Sequence, residues 1–402
     1  MPIPTLTLND TRLVALAAQG FLAPPPSPAV KNDVLTAIKR IGVLQIDTIH
    51  VVARSPYFVL FSRLGDYQAV WLDELLAEGK LFEQWAHAAS YLPIEDYPLI
   101  RRLILEGTRN SYFSGWIEEN RQAVDAVREA VRSNGPAKSA DFKSEKGRGG
   151  WWNWKLEKGA LEYMFSQGEL MVIRRDNFQR VYDLFERVMP NWDDATVPPL
   201  EEVYRQLIQK SVKSLGIARP EWVADYYRLP KRTVASLLPD MLNKGMLCEA
   251  RVQEWQEPLL YVPENSGIIE SALHGNLLAE YTTLLSPFDP LVWDRSRARQ
   301  LFEFDFMIQA YTPAEKRQYG YFPLPILHNG ALVGRLDAKA HRQDKVFEVK
   351  GVYLEKGAIP TEQLAQTMAD AITRCALWHK TPQVKINNCV PPEFGDLLAK
   401  YV

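Results

Sequence analysis

The chain has 402 residues, 47% hydrophobic and 24% charged, which is typical of a folded globular protein with about two to four domains. The formal net charge of −2 excludes a uniformly basic chain, although nucleic-acid binding needs only a local basic surface. Three distant cysteines offer neither a disulfide framework nor a zinc site, and we expect no metal or other cofactor. With no signal-peptide pattern and no apolar run near the roughly 20 residues of a membrane span, we expect a cytoplasmic protein.

The segment "VLQIDTIHVVARSPYFVLFSRLG" (43–65) is apolar except for a few side chains, and Gln45 and Asp47 stand two apart near its start. In an extended chain, residues two apart point the same way. Gln45 and Asp47 would then converge on one point, while Ile46 turns into the core. Asp47 has a second interpretation, in which its carboxylate caps the start of a helix.

Two arginines and a histidine follow in the same segment. His50 either lines the same site as Asp47 or is a packed, hydrogen-bonded residue. Arg54 and Arg63 either contact phosphate or form surface pairs with acids such as Asp66 and Asp73.

A pattern of two apolar residues followed by x-x-Gly-x-Leu occurs three times, as "LLAEGKL", "MFSQGEL" and "MLNKGML". Its glycines are Gly79, Gly168 and Gly245, and each is expected to end a helix in the left-handed conformation. After the second glycine, "ELMVIRRDNFQRVYDL" predicts a hairpin, and "MLCEARVQEWQEPLLYV" predicts another after the third. Helix, turn, helix and hairpin is the order of a winged helix-turn-helix.

Prolines define the helices of the third unit. Pro220 and Pro230 each suit the first turn of a helix. Pro239 falls inside the second of these helices and is expected to kink or restart it.

Charge distinguishes the second unit from the third, whose wing is acidic. We predict that Lys155 and Lys158 lie on a recognition helix and that Arg174, Arg175 and Arg180 surround the wing, where they would contact DNA phosphates. The tryptophans before this helix are expected to pack in the core; they are Trp151, Trp152 and Trp154.

The carboxy-terminal third has a different sequence pattern from the repeated units. "PILHNGALVGRL" predicts a hairpin with Asn329-Gly330 as its turn. In the strand that follows, alternate positions are polar and therefore share one face of the strand. This face either is solvated, binds a polyanion or lines a polar site. The segment 361–380 predicts an amphipathic helix that packs on the core.

Several motifs in fixed order resemble the YcaQ/AlkZ family of bacterial winged-helix DNA glycosylases, most closely its YcaQ branch. The motifs are "LQID" (44–47), "ARSPY" (53–57), "GWWNWK" (150–155), "SPFDPLVWDR" (286–295), "KRQYGYF" (316–322) and "GRLDAKAHR" (334–342). The resemblance implies an α+β fold with three tandem winged helix-turn-helix units on a helical scaffold and a C-terminal β-rich domain. The corresponding boundaries are 1–135 for the first winged helix with the scaffold and catalytic motif, 136–200 for the second, 201–265 for the third, and 266–402 for the β-rich domain.

The resemblance also implies an activity and a site. The activity is excision of N7-alkylated purines from double-stranded DNA, including those in interstrand crosslinks. The catalytic element is Gln-Φ-Asp, which Gln45 and Asp47 match. A DNA-facing hairpin maps to the strand that carries Arg335, Lys339, His341 and Arg342, and Arg54 joins the predicted DNA contacts.

The chemistry of the predicted site suggests a monofunctional enzyme, since no lysine stands out as a Schiff-base nucleophile. We expect a monomer with DNA as its partner and no obligate protein partner. Two alternatives are a winged-helix transcriptional regulator, which would prefer one duplex sequence, and a structural scaffold for repair proteins, which would release no free base.

Overall fold

The computed structural model describes residues 3–26, 28–108, 115–142 and 156–402. These residues form two compact units, one of Met1–Ala69, Ala86–Ala89 and Ile208–Val402, and one of Val70–Trp85 and Ser90–Leu207. Helices and small sheets occur in both units, so the predicted α+β class is confirmed. Trp151, Trp152, Trp154 and Lys155 lie outside the described residues.

The elements alternate along the chain. The α-helices are α1 (Leu8–Gln19), α2 (Lys31–Ile41), α3 (Ser55–Leu64), α4 (Val70–Ala77), α5 (Tyr97–Leu105), α6 (Trp116–Asn134), α7 (Leu156–Ser166), α8 (Phe185–Val188), α9 (Leu200–Leu215), α10 (Pro220–Tyr226), α11 (Lys231–Asn243), α12 (Ser266–Leu273), α13 (Arg295–Phe302), α14 (Glu362–Trp378) and α15 (Pro392–Leu398). The strands are β1 (Thr5–Leu6), β2 (Leu44–Gln45), β3 (Leu81–Trp85), β4 (Ala89–Pro93), β5 (Leu170–Asp176), β6 (Gln179–Leu184), β7 (Cys248–Val252), β8 (Leu259–Tyr261), β9 (Thr282–Leu284), β10 (Leu324–His328), β11 (Ala331–His341), β12 (Val346–Leu354), β13 (Gln383–Ile386) and β14 (Cys389–Val390).

The largest sheet of the first unit has the strand order β13-β12-β11-β10-β9, with β14 also paired to β12. The predicted hairpin is confirmed, because β10 and β11 are antiparallel with His328 opposite Ala331. Its turn residues Asn329 and Gly330 have φ of 44° and 88°, as a two-residue hairpin turn requires. This turn brings the polar positions of β11 into the middle of the sheet.

Helix α14 covers this sheet and is the predicted amphipathic helix. Its buried residues recur at helical spacing and include Leu364, Met368, Ile372 and Cys375. The predicted core-packing role is therefore confirmed.

A smaller three-stranded sheet has the order β1-β7-β8. Its strands β7 and β8 form the hairpin predicted after Gly245. Leu6, Val252 and Leu259 from its strands pack with Ile269 of α12 in one apolar cluster. The helix before this sheet, α11, runs without interruption through Pro239, so the expected restart at that residue is wrong.

The repeated glycine pattern has the same closing geometry at all three positions. Gly79, Gly168 and Gly245 have φ of 67°, 72° and 68°, so each adopts the predicted left-handed conformation. The residue after each glycine donates its backbone N–H to a carbonyl five residues back, as Glu169 does to Met164 at 2.9 Å. This pattern satisfies carbonyls that a helix end leaves unpaired, which explains why the sequence pattern recurs.

In the second repeat unit of the sequence, β5 and β6 form the predicted wing hairpin, with Asp176 opposite Gln179. Its turn residues are Asn177 and Phe178, with φ of 49° and 68°. Helix α7, which carries Lys158, precedes this hairpin.

Candidate active site and basic cleft

The predicted catalytic residues lie at the end of the short strand β2. Gln45 and Asp47 are half-buried, whereas Ile46 between them is only 8% exposed. The backbone N–H of Ile46 donates to the carbonyl of Ala89 at 2.7 Å, which holds this segment in place. The predicted inward orientation of Ile46 is confirmed.

Asp47 accepts a hydrogen bond from the backbone N–H of Ile49 at 2.7 Å. No helix starts there, since the segment stays irregular until α3 begins at Ser55, with Arg54 as its N-cap residue. The helix-cap interpretation of Asp47 is therefore wrong, and the carboxylate stabilises a local turn instead. Burial raises the pKa of Asp47, and the hydrogen bond from Ile49 opposes that rise.

A basic cleft of ≈ 590 Å³ begins three residues after Asp47. Its polar walls include His50, Arg54, Asp66, Arg342 and Lys380, so three cationic side chains face one carboxylate. The guanidinium of Arg342 donates to the carbonyl of Val52, so the end of β11 and the segment after the catalytic motif are tied together. We call this cleft the Arg54–Arg342 cleft.

The histidines of the Arg54–Arg342 cleft are neutral at pH 7. Partial burial, with repulsion from Arg342 and Arg54, lowers the pKa of His50 to about 4. Burial, opposed by a hydrogen bond to the Cys375 carbonyl, lowers the pKa of His379 to about 4. Burial and the charge of Arg54 also lower the pKa of Arg342. The net positive charge of the cleft therefore comes from Arg54, Arg342 and Lys380, which outnumber Asp66, and an anion would relieve the repulsion between the two arginines.

Part of this cleft was not identified from the sequence. Trp378, His379 and Lys380 come from the end of α14, for which only core packing was predicted. The indole N–H of Trp378 donates to the carbonyl of Tyr67 at 2.8 Å, and the Trp378 ring stacks on Phe61 at 4.7 Å. The sequence signal that could have identified them is the polar pair His379-Lys380, which follows the apolar helical pattern of α14.

Two arginines of the predicted wing are buried in ion pairs. Arg175 is 6% exposed and contacts both carboxylate oxygens of Glu83 at 2.8 Å. Arg180 is 14% exposed and pairs with Glu83 and with Glu162. Their placement contradicts the predicted phosphate contacts, because each guanidinium already has buried carboxylates as partners. Arg174 and Lys158 are exposed, and Arg174 contacts Asp176 at 3.2 Å.

The polar face of β11 has a buried part and an accessible part. Arg335 is 3% exposed, its guanidinium lies 4.2 Å from the ring centroid of Tyr319, and it pairs with Glu355. This residue is structural, which contradicts its predicted contact with DNA. Toward the strand end, Lys339 is exposed and His341 contacts Glu348 at 2.8 Å. Only this end of the face, followed by Arg342, is accessible to a polyanion.

Arg63 also differs from its expected surface pairing. It is 6% exposed and contacts Asp289 at 2.6 Å and the side-chain oxygen of Gln19 at 2.8 Å. Asp289 belongs to "SPFDPLVWDR", far along the chain, and is fully buried. This pair joins the segment 43–65 to one of the motifs that carry the family resemblance.

Within the described ranges, no group of three or more His, Cys, Asp or Glu side chains could hold a metal ion. None of the helices in these ranges has the length and apolar character of a membrane span.

A profile of the family described as DNA glycosylase AlkZ-like matches residues 38–378, which include the Gln45–Asp47 segment and the walls of the Arg54–Arg342 cleft except His379 and Lys380. The match places the protein among the enzymes of DNA repair that act on DNA. The chain belongs to the AlkZ-like DNA glycosylase family and is a DNA glycosylase. The fold resembles that of Streptomyces sahachiroi DNA glycosylase AlkZ, with a TM-score of 0.62 over 96% of this chain and 100% of that chain, at 14% identity.

Proposed function

We propose that the protein hydrolyses the N-glycosidic bond of cationic N7-alkylguanine in double-stranded DNA, including guanine held in an interstrand crosslink. Alkylation at N7 makes the base cationic, so it departs as a neutral molecule and needs little help from a general acid. The reaction instead needs stabilisation of an electron-poor sugar and a water held against its anomeric carbon.

Gln45 and Asp47 supply these two functions. The Asp47 carboxylate opposes the developing positive charge and accepts a proton from the water, while the Gln45 amide fixes that water by donating and accepting hydrogen bonds. The observation that carries the proposal is that Ile46 alone of the three is turned into the core, which leaves both polar residues half-buried. Burial raises the pKa of Asp47, which makes its carboxylate a stronger proton acceptor.

The Arg54–Arg342 cleft holds a backbone phosphate beside the lesion. Its cations follow the catalytic segment by only a few residues, and Arg342 is anchored to Val52. A crosslinked guanine is tied to the opposite strand and resists rotation into a tight pocket. The open cleft suits a base that stays stacked in the duplex.

The three helix-glycine-strand units serve this reaction as winged helices that support the duplex. The shared closing geometry at Gly79, Gly168 and Gly245 supports this assignment. Of the cations predicted to contact DNA in the second unit, Lys158 and Arg174 are exposed and remain candidate phosphate contacts. The division at 135, 200 and 265 and the monomeric state stay predictions.

The decisive experiment is release of free base from a 7-methylguanine duplex by the purified parent protein and by Asp47→Asn. We expect the variant to lose on the order of 10²-fold or more in single-turnover rate, as for a positioned general base. DNA binding should change much less, because the amide keeps the size and the turn geometry of the carboxylate.

The matched control is Asp370→Asn, the same chemical change at an exposed position of α14. It should excise like the parent. If Asp47→Asn also matched the parent in single-turnover excision, Asp47 would have no part in the chemistry and the mechanism would be wrong.

A further inference from the structure

The backbone of the catalytic motif is held by a short neighbouring segment. The carbonyl of Ala89 accepts the backbone N–H of Ile46 at 2.7 Å, and Ala89 is the last residue of the segment Ala86–Ala89. This segment belongs to the same compact unit as Gln45 and Asp47. A shift of Ala89 therefore moves the backbone that lies between the two proposed catalytic side chains.

His87, inside this segment, is held by contacts to three residues. Its ring stacks on Trp293, with the ring centroids 4.0 Å apart and an interplanar angle of 12°. Nδ1 of His87 lies 3.1 Å from the carbonyl oxygen of Asp225, and Nε2 lies 3.1 Å from Nη2 of Arg228. Nε of Arg228 also donates to the backbone carbonyl of His87 at 3.0 Å. We call these four residues the His87 clamp.

The contacts of the clamp define the protonation state of His87. A guanidinium can only donate hydrogen bonds, so Nε2 of His87 must accept from Arg228. Nδ1 then carries the proton and donates to the carbonyl of Asp225. Burial and the charge of Arg228 lower the pKa of His87 to about 3, which agrees with this neutral form. Because one ring nitrogen donates and the other accepts, the ring has a single favourable orientation.

Core packing alone does not account for the His87 clamp. Any aromatic residue could stack on Trp293 without the polar contacts. Arg228 has φ of 54°, in the left-handed region that non-glycine residues rarely adopt, and its guanidinium makes two of these contacts. Backbone strain of this kind is retained where a particular geometry is required. The His87 side chain is only 7% exposed, so its effect on the reaction passes through other residues.

The motif that contains Trp293, "SPFDPLVWDR", also holds the segment 43–65 directly. Its residue Asp289 forms the buried ion pair with Arg63 at 2.6 Å. One stretch of chain therefore fixes the catalytic segment directly and, through His87, also from the opposite partner of its backbone hydrogen bond.

We propose that His87 is a positioning residue for base excision, which holds the carbonyl of Ala89 and through it the backbone of Ile46. The clamp thereby fixes the directions of the Gln45 and Asp47 side chains relative to the reacting sugar. The proposal rests on the proposed function for the role of these two side chains. Catalysis by positioned groups is sensitive to small displacements, and a shift of about 1 Å can cost about 10²-fold in rate.

The test compares single-turnover excision of 7-methylguanine by the parent and by His87→Ala, at saturating DNA and at a temperature where both proteins are folded. We expect the rate of the variant to fall by about 10-fold or more, because the catalytic backbone loses its fixed position. The dissociation constant for an undamaged duplex should match that of the parent, since the buried ring does not reach DNA.

His328→Ala is the matched control. This histidine is also partly buried and hydrogen-bonded, with Nδ1 2.8 Å from the hydroxyl of Thr282, but it lies at the opposite end of the β10–β11 hairpin from Arg342. We expect this variant to lose stability and to keep the parental excision rate at saturating DNA.

A double-variant cycle separates positioning from general stabilisation. In the Asp47→Asn background, His87→Ala should reduce the excision rate by a smaller factor than in the parent, because both changes act on one geometry. Equal factors in the two backgrounds, or a parental rate in folded His87→Ala, would overturn the proposal. If His87→Ala fails to fold, His87→Gln, which keeps an acceptor for Arg228, takes its place under the same criteria. Parental excision by Asp47→Asn alone would overturn the proposed function and this proposal with it, and that outcome is read without any change at His87.

Discussion

The side chain of Asp47 is held in place by local interactions. Its carboxylate accepts one backbone N–H, from Ile49, and a carboxylate oxygen can accept more than one hydrogen bond. Burial raises its pKa, and the Ile49 bond keeps it from rotating away. Turn formation and proton acceptance are therefore compatible in the same residue. The helix-cap interpretation failed because the sequence shows the polar residue but not where the next helix starts.

The Arg63–Asp289 pair permits a quantitative prediction at the residue scale. Asp289→Asn removes the negative charge beside a guanidinium that is nearly inaccessible to water. Leaving one buried charge without its partner costs about 3–5 kcal/mol in the free energy of unfolding. Urea denaturation of the parent and the variant measures this loss.

The control for Asp289→Asn is Asp305→Asn in the exposed pair Arg299–Asp305, whose N–O distance is 2.7 Å. Both side chains there are largely in water, and an exposed pair contributes about 0–1 kcal/mol. Equal losses at Asp289 and Asp305 would contradict a stabilising role for burial of the first pair.

At the scale of single elements, the glycines that end the repeated helices differ in their surroundings. A Cβ atom at Gly168 would lie 2.4 Å from Nη1 of Arg101 and 3.0 Å from Ile104, whereas one at Gly245 meets nothing within 4 Å. Arg101 cannot move freely, since it donates to the carbonyl of Gly168 and to Asp194.

We therefore expect Gly168→Ala to destabilise the protein more than Gly245→Ala does. The second change adds only the strain of a left-handed non-glycine residue, about 1–2 kcal/mol. The first adds the same strain and also displaces Arg101 from its hydrogen bonds. Chemical denaturation of the two variants gives the comparison directly, and a larger loss at Gly245 would contradict the role of Arg101.

Elements were predictable where their signals are local. The Asn329-Gly330 turn, the spacing of apolar residues in α14 and the helix-ending glycines each depend on residues within one or two turns of chain. Ion pairs were not predictable in the same way. Arg175 and its partner Glu83 are 92 residues apart, so the sequence showed a basic wing where the fold makes a buried ion pair.

At the scale of the whole molecule, the candidate site depends on segments that are distant in sequence. Asp47 and His50 come from the first segment of one compact unit, while Arg342 and His379 come from its last. The sequence motif located the first group because it is a short continuous pattern. Arg342 follows a hairpin strand and His379 follows a core helix. In both elements the spacing of apolar residues predicts packing only.

Three histidines with lowered pKa values give the whole molecule a predictable response to acid. The pKa of His87 is lowered to about 3 by burial and by the charge of Arg228, and those of His50 and His379 are lowered to about 4. Each lies below the usual value of 6.5, so the unfolded chain binds these protons first as the pH falls. Their contribution to stability is complete above pH 6.5 and is lost as the pH falls toward about 4.

The measurement is the free energy of unfolding between pH 7 and pH 4.5 for the parent and for His87→Gln. One histidine changes this free energy by at most about 1.4 kcal/mol per pH unit, so the variant should show a shallower decline than the parent. Buried carboxylates with a raised pKa, such as Asp225 and Asp337, act in the opposite direction, and the difference between the two proteins is therefore the relevant quantity. His274→Gln, at an exposed position, is the matched control. Identical declines in the parent and His87→Gln would mean that His87 is protonated in the folded protein as readily as in the unfolded chain, against its burial and its stacking on Trp293 at 4.0 Å.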